Sequence, residues 1–394
     1  MMRKMKVIII LFLMITVCPV TVHGVGEDNS LDVQQDYIEE QLNNLNIEEM
    51  ERIIKEEPEV FEYFSDISVK DFIQSLLKGE NVLDVKNIFK GIMSIFFAEV
   101  IENLNILIQI IVITIICALL INLQGAFEKE SVGEIALFAC YIILASLVIK
   151  TFVLCIELGQ NTVNRMVDFM QIILPILFTL LVAIGGATTK LLFNPVIIGI
   201  INLISIAIKN FVFPLIFFSF IIGIISKMSS KIQFSKLSEL LRQIVVIVIS
   251  ISMVIFIGVM SIYGVGAKID GVSIRTAKFA VDNFVPIIGK FLSDAVETVV
   301  GCSAVLKNAI GLVGVFSIFL ICIVPTLKII ALIFMYKIAV VVIEPIADKN
   351  VVSFFEEVSK SLLLILVSIL AVATMFFITI SIIIEAGNAT LMLR

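Results

Sequence analysis

The chain has 394 residues, 60% hydrophobic and 16% charged, with a formal net charge of −6 and a mean hydropathy of +1.12. A soluble protein of this length needs more polar surface, so composition excludes one and specifies an all-α, polytopic integral membrane protein. The one histidine, His23, lies near the N-terminus, which leaves the chain beyond it without imidazole for catalysis or metal binding.

Residues 1–24 read as a signal peptide. Arg3, Lys4 and Lys6 form a basic n-region, residues 7–17 an apolar h-region, and Val22 and Gly24 supply small residues at a cleavage site. The competing reading is an uncleaved anchor helix. Cys18 lacks the flanks of a lipoprotein site.

Residues 25–103 are predicted to form an exported, acidic, amphipathic helical domain, with 19 acidic and 6 basic residues. Such a charge repels phosphate and excludes nucleic acid as its partner. Asn46 with Glu49, and Ser68 with Asp71, mark helix starts. The more apolar stretch 84–104 either lies on the membrane surface or leads into the first span.

Residues 104–394 form the predicted multi-span transmembrane domain. Apolar runs at 105–123, 135–156, 169–187, 244–263, 308–325, 329–345 and 361–384 each suit a crossing. Runs 195–208 and 211–225, parted by Lys209 and Asn210, read as a hairpin or one broken helix. The expectation is a bundle of eight to ten spans. Pro175 and Pro214 are spaced like Pro286 and Pro325, a hint of an internal repeat at an offset of 111 residues.

With a cleaved signal and a hairpin over 195–225, the loop 226–243 falls in the cytoplasm. Its Lys227, Lys231, Lys236 and Arg242 agree with the positive-inside rule. The plainer reading of this loop is an interfacial helix that anchors topology. The same parity sets residues 264–308 outside the cytoplasm.

Motifs exclude more than they assign. No phosphate-binding P-loop occurs, because Gly289-Lys290 lacks the upstream glycine and is followed by Phe291. The stretch 264–270 matches no glycine-rich or intramembrane aspartyl pattern. Six cysteines without CxxC spacing read as small packing residues. No catalytic, cofactor-binding or metal-binding set is expected, and no enzyme.

Charges inside or beside spans are the candidate functional residues, because an ionisable group in hydrocarbon costs about 3 kcal/mol. Lys150, Lys337 and Glu344 are of this kind, with Arg165 and Asp168 ahead of the third span. The competing reading is snorkelling or a buried structural pair. A helix from Ser273 carries Arg275, Lys278 and Asp282 in a stripe beside an apolar face, and Pro286 interrupts it. Beyond the proline, Lys290, Asp294 and Glu297 share one side. This helix–proline–helix fits an interface, a water-filled cavity or an amphipathic rest on the membrane surface.

SIRTAKFAVDNFVPIIGKF (273–291), LKNAIGLVG (306–314), IFMYKIAVVVIEP (333–345) and the EAGN tail (385–388) resemble the stage III sporulation protein AE family of endospore-forming bacteria. The resemblance implies a multi-pass protein of the mother-cell membrane around the forespore, with its N-terminal domain in the intermembrane space. It implies partners in the stage III sporulation channel complex: a secretion-type ATPase, ring-forming proteins and a forespore partner, besides membrane lipid. The family supplies no catalytic or ligand residues to carry over. The function expected is a permease-like or export-gate-like subunit of a transport complex. Two alternatives stay open, a self-sufficient secondary transporter and a structural scaffold.

Overall fold

The computed structural model describes Arg52 and residues 85–124, 130–185, 187–228, 234–284 and 288–392. Side chains are described for Arg52, 89–120, 138–185, 194–227, 234–266, 298–386 and Asn388. The expected signal peptide and nearly all of the acidic domain before residue 85 lie outside the described residues.

Every element among the described residues is helical. They are α1 (Val85–Glu102), α2 (Leu104–Gln124), α3 (Glu130–Ala183), α4 (Ala187–Ala207), a π-helical segment (Ile208–Val212), α5 (Phe213–Met228), α6 (Ser235–Phe284), α7 (Ile288–Ile343) and α8 (Lys349–Met392). Helix is the expected outcome for sequences this rich in Ile, Leu and Val, since it satisfies each backbone group within its own segment.

Among the described residues, five stretches are long and apolar enough to cross a membrane: Phe138–Ala183, Asn194–Lys227, Ser235–Gly266, Thr298–Ile343 and Lys349–Ala386. The pair Phe89–Glu102 and Leu104–Leu120, bent by 40°, makes a sixth if it is one broken span. Among the described residues, the eight to ten expected spans therefore become five or six helices of that kind. Runs 135–156 and 169–187 join within α3, and runs 308–325 and 329–345 join within α7. The polar residues between them sit on the face of a continuing helix instead of forming a turn. Pro175 and Pro325 are accommodated inside helices, where each removes only one backbone donor.

The hairpin over 195–225 is also replaced by a continuous path. The N–H of Phe213 donates to the carbonyl of Ile208, five residues back, so Lys209 and Asn210 are carried in a π-helical turn between α4 and α5. The proline spacing does not map onto matching breaks. Pro214 follows the π segment, Pro325 lies mid-helix, and Pro286 lies outside the described residues.

The bundle is organised around its C-terminal helix. α8 packs on α3, α5, α6 and above all α7. Its apolar span is 83% buried and that of α7 72%, against 22% for α6, so α7 and α8 are the inner pair. Phe152, Phe169, Phe178, Phe213, Phe220, Phe354 and Phe355 fill the centre. The free cysteines Cys117, Cys140, Cys155 and Cys322 are buried there as small packing residues, and Cys302 is buried outside this cluster. α1 lies outside this core and sets Ile95 against Leu320, Val324 and Leu327 of α7. Glu99 pairs with Lys328 at 3.2 Å, and the side chain of Asn103 donates to the Glu99 carbonyl at 2.8 Å where α1 turns into α2.

Candidate functional site: polar groups inside the helical bundle

The sequence-selected charges divide between two ends of the molecule. Lys150 is exposed on α3, Lys337 is exposed on α7, and Glu344 is exposed in the turn that follows α7. Glu344 continues the last helical turn through its N–H to the Val340 carbonyl at 2.9 Å. Arg275, Lys278 and Asp282 lie on the final stretch of α6, and Lys290, Asp294 and Glu297 on the first turns of α7. The helix on either side of Pro286 is therefore present as read. The side chains of these six residues lie outside the described ones. Lys290 and Glu344 are separated by about 80 Å along α7 at 1.5 Å per residue, so the nine candidates do not converge on one cavity.

The bundle instead buries a different set. Arg242, in the second turn of α6, forms an ion pair with Glu357 of α8. Both side chains are about nine-tenths buried, at 11% and 10% exposed. Serines complete the cluster. Ser219 Oγ of α5 donates to the Ser238 carbonyl at 3.0 Å, and Ser238 Oγ donates to the Ser219 carbonyl at 2.8 Å. Ser238 Oγ also stands 3.2 Å from Glu357 Oε1 and accepts from Arg242 Nη2 at 3.3 Å. One hydroxyl has one proton, so the shorter bond to Ser219 takes it. Arg242 Nε is buried without a partner among the described residues.

Gly223 makes room for this carboxylate. A Cβ added there would stand 2.5 Å from Glu357 Oε1 and 2.8 Å from its Cγ. The small residues Ser219 and Gly223, one turn apart on α5, thus let α6 and α8 close over an ion pair. Outward of it, Ser226 and Ser235 bond at 2.8 Å across the α5–α6 connection.

The second buried charge is Lys307 on α7, fully inaccessible, with Nζ donating to the Ile384 carbonyl of α8 at 2.7 Å. Gly311 and Gly314, one and two turns on, bring α7 against Ile384 and Ile380 of α8, with Ile173 of α3 closing on Gly314. The segment 306–314 therefore docks beside the 385–388 tail, and two stretches that carried the family resemblance prove to be spatial neighbours. On the flank, a groove of about 350 Å³ opens between α3 and α5. Val153, Ile156, Glu157 and Gln160 line one wall, and Phe213, Pro214, Phe217 and Phe218 the other.

Sequence reasoning missed the buried set. Arg242 was grouped with the basic residues that orient the chain, and Glu357 passed as part of a polar stretch after the eighth run. Lys307 stood only inside a family-like segment. A detectable signal existed for it: one lysine between apolar residues with glycines at 311 and 314, a small-residue face that brings helices close.

Among the described residues, no group of three or more His, Cys, Asp or Glu is placed to hold a metal ion. This arrangement suits packing and charge placement within a membrane bundle.

The family profile described as Stage III sporulation protein AE matches residues 67–387. The chain belongs to this family. A relative, Stage III sporulation protein AE of Bacillus subtilis (strain 168), is 31% identical over 328 residues, covering 83% of this chain and 82% of the relative. No solved structure matches. Family membership gives the chain a role in sporulation, and its long apolar helices make it a multi-pass membrane protein. The family description names a stage of sporulation, not a reaction.

Proposed function

We propose that this chain is the integral membrane subunit of a sporulation transport complex between mother cell and forespore, permease-like or export-gate-like and not catalytic. The observation that carries the reading is the burial of single charged side chains on the inner helices. Lys307 and Glu357 are buried on α7 and α8, where hydrophobic side chains would assemble a scaffold more cheaply. Family membership supports the sporulation setting.

The subunit reading is preferred over a self-sufficient transporter for a structural reason. The centre of the bundle is one continuous apolar cluster filled by side chains, and the open groove lies on the flank. A pathway therefore needs other chains to complete it. The partners in this reading are a secretion-type ATPase, ring-forming proteins and a forespore protein, with the N-terminal domain in the intermembrane space of the mother-cell membrane.

With six crossings and an exported N-terminus, residues 228–234 and 344–348 face the cytoplasm, and residues 267–297 face outward. The two merged pairs ahead of residue 226 change the count by two, which leaves the parity read from the sequence intact.

Affinity purification of the tagged full-length chain from sporulating cells tests the proposal. Co-recovery of the ATPase and ring-forming proteins is expected. Recovery of the chain alone, with solute flux in vesicles that hold only this protein, would replace the subunit by a self-sufficient transporter.

A further inference from the structure

α3 carries an outward face that a lipid-facing helix does not have. Lys150, Glu157, Asn161, Asp168 and Thr179 are all exposed. At 100° per residue they fall within a sector of about 40°. Between Leu154 and Val182, themselves exposed and about 42 Å apart along the helix, α3 exposes no other large hydrophobic side chain. Its opposite face over the same length is fully packed, with Phe169, Ile173, Leu177 and Phe178 buried.

The neighbour at the same height is the reverse. α3 and the α4–α5 path run antiparallel, and three contacts fix their register. Gln171 donates to Asn202 at 3.2 Å, Gly159 lies under the ring of Phe213, and Phe152 stacks on Phe220 with centroids 3.6 Å apart. Level with the α3 stripe, α4 and the start of the α4–α5 path expose Leu203 at 66%, Ile206 at 59% and Phe211 at 55%.

One medium does not serve both surfaces. Hydrocarbon against α3 would leave Glu157, Asn161 and Asp168 unsolvated, and an aspartate at such a depth costs about 3 kcal/mol. Water around α4 would expose a continuous row of Leu, Ile and Phe. The boundary between the two media therefore runs along the helices, between α3 and α4, and not across them.

We propose that the outer face of α3 from Glu157 to Thr179 borders water at membrane depth and forms one wall of an aqueous path. The other walls come from chains assembled around this one, so the inference rests on the subunit reading above. Among the described residues Glu157, Asn161 and Asp168 make no hydrogen bond or ion pair, and water satisfies all three without a matched partner surface.

The stripe also sets the class of solute. Within the wall the exposed charges are Glu157 and Asp168, both acidic, with half-buried Arg165 at the edge. Two exposed acidic side chains on one wall attract cations and repel anions. The wall suits hydrated solutes that are neutral or positively charged.

Cysteine accessibility in membranes of sporulating cells, opened so that both faces meet the reagent, tests this. The full-length chain carries one added cysteine at Asn161→Cys, Asp168→Cys or Thr179→Cys, or at Leu203→Cys or Ile206→Cys. The five described native cysteines are buried, and the parent chain supplies their background. A charged, membrane-impermeant maleimide should label most chains at the three α3 positions and stay at background at the two α4 positions. All five should label after denaturation.

Protection of the α3 positions would overturn the proposal, because lipid or protein then covers the stripe. Labelling of both sets would overturn it too, since that level then lies outside the membrane. Neither result touches the co-purification test, so the subunit reading can stand where the water path fails.

Discussion

Glu357 is the residue on which three helices depend. Removing its partner by Arg242→Ala leaves a carboxylate buried among α5, α6 and α8, and such a change costs about 3–5 kcal/mol. The paired replacement Arg242→Met with Glu357→Leu removes both charges and is expected to regain most of that stability. Thermal unfolding of the purified variants reads the difference; equal melting temperatures for the single and double variants would mean that the ion pair is not what holds the cluster. Gly223→Ala presses a methyl onto the same carboxylate and should cost about 1–3 kcal/mol by overpacking. Lys307→Met keeps volume and removes a buried cation, so the fold should hold within about 1 kcal/mol while spore yield falls. A melting temperature lowered as far as in Arg242→Ala would make Lys307 structural instead. Composition could not find these residues, because hydropathy scores a lone charge in an apolar run as a small deduction. It says nothing of which way the side chain points.

At the scale of elements, helices were legible and their continuity was not. The apolar runs of α6 and α8 contain the crossings read from them, and that of α2 does so only together with α1, since backbone pairing in an apolar setting leaves little choice but helix. The breaks read at 157–168, at 209–210 and at 326–328 failed for a shared reason. A polar residue re-solvates a helix surface but does not release its backbone, so α3 and α7 continue through them. The π-helical turn at Ile208–Val212 is the subtler case, because it adds one residue to the winding and so re-aims α5 relative to α4. Deleting Asn210 should restore α-helical winding and turn α5 by about 100°, carrying Ser219 and Gly223 away from Ser238 and Glu357. The deletion is expected to lower the melting temperature more than loss of one residue from the 229–233 connection. An equal effect would show that the π segment does not set the register.

For the molecule as a whole, sidedness is an expectation that rests on the basic loop 226–243 and on an exported N-terminus. The two merges ahead of residue 226 keep the parity read from the sequence, whereas the merge within α7 moves residues 344–348 to the side opposite the one that the nine runs imply. Single cysteines at positions 230 and 348 should react from the cytoplasmic side, and one at position 186 from the other. Opposite sidedness for 230 and 348 would mean that α6 and α7 do not cross as a pair. The outward apolar surface has a further physical consequence. On α4 and α5 it runs from Val196 to Ile225, about 44 Å at 1.5 Å per residue, against a bilayer core of about 30 Å. A bundle so tall is mismatched to an ordinary membrane and must tilt, draw lipid up around itself, or lend its excess to neighbouring subunits. The isolated protein should therefore melt higher in lipids of longer acyl chain, and that preference should flatten once the assembled partners take over the uncovered collar.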